Sequence, residues 1–432
     1  MRPGRPLLWL LVLLALLGGA VVLGHVPVWG WYLAGGGIVL LAVLDAALTR
    51  WQVLPRIQRE LPEALPLGVE REVTLSLEGV GRQWVEVFDL HPEGWPMQGL
   101  PRKLKLDART ISSIAYRLRP IARGDFLFEG VQVRISSPLR LWRRSRIVGE
   151  RKQVQVCPNF APLTRFALFS ADQASRLVGA HLKRRRGEGT DFHQMREYRA
   201  GDSMRQIDWK ATARSRKLIS REYQDEKNQQ LVMLLDTGRR MMAREDGYAH
   251  FDHVLDASLV VSYLALRRGD AVGMLAGGEN SRWVAPQRGM GSLDRLLRAS
   301  YDLQPQPVAT DYLDMATGLA LHQRRRALVM LVTNVRDEDI EDLLGAVRLL
   351  QKRHLVCVAS LRERALDAAL ASEVVDLPDA IRAGAVAHYL QQRNAAHEAL
   401  RRHRVMTLDV ASADLPAALV ERYLSVKRDG LL

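Results

Sequence analysis

The chain has 432 residues, 47% of them apolar, and 62 Lys and Arg stand against 48 Asp and Glu for a formal charge of +14. This is too long for one ordinary domain and apolar enough for real cores, so two or three folded domains are expected. The only cysteines, Cys157 and Cys357, fall in different predicted domains without metal-ligand spacing around either, which argues against a disulfide framework or a cysteine zinc site and suits a reducing compartment.

The first element is a pair of charge-free runs, Leu7 to Leu23 and Val28 to Leu44, separated only by Gly24 to Pro27. Each is about 17 residues, the short end of what crosses a hydrocarbon core of roughly 30 Å. The tight connection makes the helices antiparallel neighbours. Gly18, Gly19 and Gly35 to Gly37 allow close contact in lipid, and Trp9, Trp29, Trp31 and Tyr32 suit the interfaces. Arg2 and Arg5 precede the pair, Arg50, Arg56 and Arg59 follow it, and the loop has no Lys or Arg. The positive-inside rule then places both termini in the cytoplasm: a two-pass protein of the inner membrane, with residues 1–50 as its transmembrane hairpin. The alternative, a cleaved signal peptide, is disfavoured by the second apolar run that follows at once.

Residues 51–160 shift to short alternating runs set off by Gly and Pro: VTLSLEG from Val73, WVEVFDL from Trp84, ISSIAYRLRP from Ile111, DFLFEGVQVRIS from Asp125 and KQVQVCP from Lys152. Period-two alternation with regular turn signals predicts a small antiparallel β-sandwich. His91, beside Pro92, reads as a turn or surface residue.

Residues 176–226 form a basic connector. From Arg176 to Arg221 there are thirteen Lys or Arg and five Asp or Glu, interleaved with Phe192, Met195, Tyr198, Ile207 and Trp209, so this is a folded segment and not a charged tail. Phe192, Met195 and Tyr198 recur every three residues and predict a helical turn. GDSMRQIDW reads as a turn leading into a buried aromatic anchor, and LISREYQ from Leu218 as a strand at a sheet edge. RRRGEGTD lacks the GxxxxGK[ST] pattern of a phosphate loop. The leading reading of Arg196, Glu197, Arg199, Asp202, Arg205, Asp208, Lys210 and Arg214 is an interdomain salt-bridge network. A sharper one has Lys183 to Arg186, Arg214, Arg216 and Lys217 docking an acidic partner or anionic lipid. Nucleic-acid binding is not expected, for no recognised motif accompanies the charge.

The run Gly189, Phe192, Arg196, Glu197, Tyr198, Gly201, Asp202, Arg205, Ile207, Asp208, Trp209, Lys210, Ala213, Arg214 resembles the signature of domain-of-unknown-function family 58. The stretch RGDFLFEGVQVRISSPLRLW is similar to a second family segment, with Arg140 where glycine is usual. The resemblance implies the layout of membrane hairpin, β-rich domain, signature and von Willebrand factor A-like domain. It also implies partnership with MoxR-type AAA+ ATPases. It implies no reaction.

Residues 227–432 alternate strand and helix: LVMLLD from Leu231, a helix from His250, AVGMLAGG from Ala271, a helix from Gly291, another across Asp311 to Arg326, then ALVMLVTNV, DEDIEDLLGAVRLLQKRH, LVCVASL, a long helix over Ile381 to Arg402, VMTLDV and a closing helix. This predicts a parallel, doubly wound α/β sheet of Rossmann type, with ligands beyond the strands' carboxyl ends. Asp236 falls there. The A-like resemblance implies a DxSxS cation loop at that position, but the residues read Asp236, Thr237, Gly238, Arg239, Arg240, with Thr310 matching a later threonine and Asn334 replacing a later aspartate. A glycine, a cationic arginine and a neutral amide replace three expected ligands, so the metal site is degenerate and no cofactor is expected. Mg or Mn remains as the alternative, with Thr237 and Asp337 open to shifted ligation. His250 and His253, three apart, have no third zinc ligand in view. No nucleophile and base pair emerges.

The function expected is a membrane-anchored scaffold or adaptor, not an enzyme, acting on an AAA+ ATPase or its client. Alternatives are a cation-dependent A-type adhesion module or enzyme, and a nucleic-acid binder.

Overall fold

The computed structural model describes residues 1–159, 191–199, 204, 207–224, 229–278 and 281–431. The chain divides into two compact units, Met1–Cys157 and Pro158–Leu432.

In the first unit, α1 (Arg5–Val22) and α2 (Val28–Trp51) are both long and apolar enough to cross a membrane. Their contact is led by Trp31, whose indole N–H donates to the Leu14 carbonyl at 3.0 Å. Gly18 lies against that indole and Gly35 against Leu14, while Gly19, Gly36 and Gly37 meet no neighbour. Trp31 therefore also packs the two helices together. Trp9, Trp29 and Tyr32 are exposed.

The strands are β1 (Arg2–Pro3), β2 (Arg56–Glu60), β3 (Ala64–Pro66), β4 (Arg71–Glu78), β5 (Gln83–Asp89), β6 (Met97–Gln98), β7 (Arg102–Leu106), β8 (Ile111–Leu118), β9 (Gly124–Phe128), β10 (Val131–Ser136), β11 (Trp142–Val148) and β12 (Lys152–Cys157). They form sheets ordered β1-β11-β10-β5-β7, β2-β4-β8-β6 and β3-β12-β9, antiparallel except where β3 meets β12. Alternation decides which face is buried: Val73, Leu75 and Leu77 on β4, Val85 and Val87 on β5, and Val131, Val133 and Ile135 on β10 all point inward. Asp89, fully buried, ties two sheets together by accepting from Arg59 Nε at 2.9 Å and Tyr116 Oη at 2.5 Å. Burial, then the Asp89 charge, pushes the Tyr116 hydroxyl far above its ordinary pKa.

The hairpin is tied to these sheets by polar contacts. Asp45 on α2 is fully buried and accepts the backbone N–H groups of Leu139 and Leu141 at 3.0 and 3.2 Å. Trp142 donates its indole N–H to the Ala42 carbonyl at 2.8 Å. Arg144 reaches the Thr49, Arg50 and Gln52 carbonyls at 3.3, 3.2 and 3.4 Å, acceptors that a helix end leaves unpaired. Ahead of α1, Gly4 donates to the Leu141 carbonyl at 2.7 Å and β1 pairs with β11. One loop thus holds the start of α1 and the end of α2.

In the second unit, β13 (Asp191–Glu197) pairs antiparallel with β14 (Ile219–Gln224), and α3 (Trp209–Ser215) lies between them in sequence. The helical turn expected over Phe192 to Tyr198 is corrected: the segment is a strand with a register shift between Phe192 and Gln194, and that shift lets a three-residue spacing lie on extended backbone. The strand expected from LISREYQ is β14.

The main sheet comprises β15 (Gln230–Leu235), β18 (Ala271–Ala276), β19 (Arg282–Gln287), β20 (Leu328–Thr333), β21 (Leu355–Arg362) and β22 (Met406–Ala411), ordered β19-β18-β15-β20-β21-β22; β16 (Arg244–Glu245) and β17 (Tyr248–Ala249) form a separate small hairpin. Five strands are parallel, and β19 is an antiparallel edge. Its sequence, RWVAPQ, carries a proline that an edge tolerates. The core strands read as continuous apolar runs because both faces are covered. One face packs on α4 (His250–Arg267), α5 (Gly291–Ser300) and, at the chain's end, α10 (Leu415–Arg428). The other packs on α6 (Tyr312–His322), α7 (Ile340–Gln351) and α9 (Leu377–Arg402), while the short α8 (Arg364–Ala371) has no buried residue.

Candidate functional site

From β15 the chain winds outward one way through β18 and β19, then returns to β20 and winds the other way. Such a reversal opens a crevice beyond the carboxyl ends of the two middle strands. Asp236 follows β15, and Thr333 and Asn334 end or follow β20. All three are fully buried.

The Asp236 carboxylate is satisfied by neutral donors. Gly238 N–H donates to Oδ1 at 2.7 Å and the Thr310 hydroxyl donates to the same oxygen. Thr333 Oγ1 donates to Oδ2 at 2.6 Å, and Tyr312 Oη lies 3.4 Å from Oδ2 and 2.8 Å from Thr333 Oγ1. Burial, then the Asp236 charge, raises the Tyr312 pKa, so this hydroxyl keeps its proton. A Cβ placed on Gly238 would collide with Thr310 Oγ1. With φ of −77° the backbone there is ordinary, so room alone excludes a serine.

The remaining predicted positions are close by and differently employed. Arg240 forms ion pairs with Glu338 and Asp339 and approaches the Asn334 carbonyl at 3.5 Å. Asn334 turns its side chain away from Asp236, donating to Glu363 Oε1 at 2.8 Å and accepting from Arg393 at 2.7 Å. The Thr237 hydroxyl donates to the Gly277 carbonyl, and Asp337 is exposed. Among the described residues no group of three or more His, Cys, Asp or Glu comes together as a metal site. His250 is buried, and burial lowers its pKa.

Sequence reasoning missed Thr333, Tyr312 and above all Arg393, which is 1% exposed. Its guanidinium donates to Asp409 at 2.8 Å, Ser360 Oγ at 2.5 Å, and the carbonyls of Val335 and Leu361 at 2.9 and 2.7 Å. Burial opposes its charge, but the Asp409 hydrogen bond and charge more than offset this and raise its pKa. His397, one turn on and 3.8 Å from Asp409, is held neutral: burial pushes its pKa down to about 4. A signal existed, because Arg393, Ala396, His397 and Leu400 are the buried residues of α9 at core spacing.

Of the connector signature, Gly189, Gly201, Asp202 and Arg205 lie outside the described residues, as do Lys183 to Arg186. Phe192 lies on β13. Asp208 is buried and caps α3, accepting from Lys210 and Ala211 N–H, each at 3.0 Å. Glu197 pairs with Lys217 at 2.8 Å, and the Lys217 hydrogen bond holds its carboxyl below the usual range. Arg196 donates to the Glu197 carbonyl at 3.1 Å. Tyr198 N–H bonds the Leu218 carbonyl at 2.8 Å. Lys210 and Arg214 are exposed on α3. Trp209 is 67% exposed, not the buried anchor expected. It opens α3 just after Asp208, and it is the Asp208 carboxylate that is buried there to cap the helix.

These features define a class: two apolar N-terminal helices, antiparallel β-sheets, and an α/β unit with helices on both sides of a mainly parallel sheet. Residues 194–406 match the family described as "Protein of unknown function DUF58". No curated protein matches the chain. Among solved structures, an aerotolerance-related membrane protein from Bacteroides fragilis NCTC 9343 is 13% identical, with 46% of this chain and 99% of that one covered and a TM-score of 0.29. Proximal thread matrix protein 1 from the mussel byssus is 7% identical over 47% of this chain and 44% of its own, with a TM-score of 0.25. At such scores neither likeness carries an argument about fold.

Proposed function

We propose that the chain is a membrane-anchored scaffold or adaptor of the inner membrane whose α/β unit is von Willebrand A-like and works by protein contact rather than turnover. The observation that carries this reading is the closed set of hydrogen bonds on Asp236. Its two oxygens face an N–H and three hydroxyl groups, the next ligand position is a glycine with Thr310 pressed over it, and the Arg240 guanidinium is fixed nearby by Glu338 and Asp339. Arg240 lines the same pocket as Thr310 and Tyr312, so an ion there would have to displace its guanidinium as well as the donors already on Asp236. Strand order and the position of Asp236 support the A-like assignment. The shared tether of α1 and α2 to one loop supports a hairpin with both ends on one side, which the flanking arginines orient to the cytoplasm.

The partner that the family resemblance implies is a MoxR-type AAA+ ATPase. The test is crosslinking of the full-length chain in native membranes followed by mass spectrometry. Recovery of an AAA+ ATPase on the second unit supports the adaptor reading, and a crosslink set without one sinks it. Labelling of a single cysteine placed after Trp51 by an impermeant reagent in intact cells would overturn the orientation.

A cation-dependent module is the second reading, because Thr310 and Thr333 hydroxyls could exchange their donated protons for lone-pair contacts to an ion. Calorimetry with Mg or Mn distinguishes the two. Tight binding lost in Asp236→Ala favours the cation, and no heat favours the scaffold.

A further inference from the structure

The outer face of the five-stranded sheet in the first unit carries a groove of about 510 Å³ that reaches Gln52, the residue directly after α2. Five cations line it, Arg82, Lys103, Arg134, Arg140 and Arg143, against one carboxylate, Glu86. Strand register explains the layout: Glu86 lies opposite Arg134 and Lys103, and Ser136 opposite Arg143. Arg134 is paired with Glu86 at 3.5 Å and Arg82 with Asp107 at 3.9 Å. Lys103, Arg140 and Arg143 make no ion pair among the described residues. Trp84, another lining residue, is largely exposed, as are Trp51, Val53 and Leu139 around the end of α2.

Arg140 is the decisive residue. Its φ of 61° is left-handed, a conformation that glycine adopts freely and a residue with a side chain only under strain. The loop it sits in is held by Asp45 through both neighbours, Leu139 and Leu141. A strained position therefore delivers an unpaired guanidinium to the groove, where glycine would fit the backbone better.

We propose that this groove binds the phosphate headgroups of anionic phospholipids at the leaflet from which α2 emerges. The inference rests on the membrane reading above. A groove that starts where a spanning helix ends, rimmed by tryptophan and apolar side chains and carrying surplus positive charge, matches the interfacial zone of an anionic leaflet in both polarity and depth. Guanidinium groups take phosphate oxygens by paired N–H donors, which suits the two arginines without partners.

The test uses the full-length protein reconstituted in bilayers of phosphatidylcholine with spin-labelled phosphatidylglycerol or spin-labelled phosphatidylcholine, reading the motionally restricted fraction of each. Wild type is expected to prefer phosphatidylglycerol several-fold, and Lys103→Glu/Arg140→Glu/Arg143→Glu to lose that preference. Arg140→Gly guards against misfolding as the cause: it should raise Tm, because it relieves the backbone, while lowering the preference about two-fold or more. Equal preference in wild type and the triple variant overturns the proposal. Loss of the preference on adding millimolar inorganic phosphate also overturns it, since the groove would then be a site for a free anion. Alkaline carbonate extraction tests the anchor separately: wild type released into the supernatant defeats the membrane reading, whereas retention with no lipid preference defeats only the groove.

Discussion

Asp45 in the first unit and Asp236 in the second are both fully buried, and both are satisfied without a cation. Asp45 takes two backbone N–H groups, which can only donate. Asp236 takes one N–H and a set of hydroxyls, which donate or accept by rotation. Asp45 is thus a fixed clamp between helix and loop, while Asp236 sits among donors that tolerate a change of its own chemistry. A buried carboxylate at a strand end is accordingly no proof of a metal: neutral donors supply what a cation would.

The charged pair on the far side of the same crevice tests how much that choice of donors matters. Arg393→Ala would leave the half-buried Asp409 and the buried Asn334 Oδ1 without their guanidinium, a loss of about 3 kcal/mol, the low end for a broken buried pair because Asp409 keeps some solvent. Hydrogen exchange of β21 and β22 in the full chain should speed up by about two to three orders of magnitude if the loss is read as local opening. Exchange unchanged at these strands would show that Arg393 is replaceable and that the two sides of the crevice do not differ as argued.

Acid should act on the Arg393 side as well. His397 has a native pKa of about 4, below its ordinary value near 6.5, because burial disfavours its charged form. Between those values the unfolded chain binds more protons than the native one, so stability is complete above about pH 6.5 and falls as pH falls toward 4. The loss should be on the order of 3 kcal/mol by pH 4. Burial lowers His250 and His354 in the same direction. Urea titrations from pH 7 to 4 on His397→Gln should show a flatter decline than wild type, and equal slopes would remove His397 from the account.

Carboxylate to amide changes sharpen the first comparison directly. Asp45→Ala and Asp236→Ala should each cost about 2–3 kcal/mol by stranding buried donors. The asparagine variants should diverge. At Asp45 an amide NH2 would face a backbone N–H, donor against donor, so Asp45→Asn should be nearly as damaging as alanine. At Asp236 the Thr333 and Tyr312 hydroxyls can turn to accept, so Asp236→Asn should recover more than half of the loss. Equal recovery at both sites, measured by thermal unfolding, would mean that the nature of the donors is immaterial.

How much of this was legible in sequence follows from what each signal measures. Charge-free runs and strand periodicity report desolvation of whole segments, so the helical pair, the antiparallel sheets and the alternating α/β unit were readable from Leu7, Val73 or Leu231 onward. Polar strands escaped: β19 and β11 are too polar to stand out, and β11 reads WRRSRIV because one flank lies beside the basic groove. The position of Asp236 at a strand end was legible, and so were the glycine at 238 and the arginine at 240 that follow it. Thr333 was not, because its partner is brought from 97 residues away by strand order; the core spacing of Arg393 could be read, but not that Asp409, 16 residues on, would be its partner. Trp209 misled because hydrophobicity stood in for burial, whereas at that turn the buried group is the Asp208 carboxylate that caps the helix.

Gly238 offers the finest cut. Since its backbone is ordinary and Thr310 Oγ1 is the nearest atom to the space, ahead of the Val308 carbonyl and Asp236 Oδ1, Gly238→Ser should cost about 1–3 kcal/mol by overpacking. Thr310→Ala alone should cost about 1 kcal/mol, the hydroxyl's hydrogen bond to Asp236. Combined, the two changes remove the worst of the collision, leaving the Val308 carbonyl, so the double variant should be more stable than the sum of the singles by about 1 kcal/mol. Additivity would show that the serine is accommodated elsewhere. Adding Mg to the double variant should still leave Tm unchanged, because Arg240 lines the same pocket and Asp236 keeps its Gly238 and Thr333 donors whatever side chain stands at position 238. A rise in Tm with Mg there, and not in wild type, would locate the barrier to cation binding in the Thr310 contact and not in the arginine.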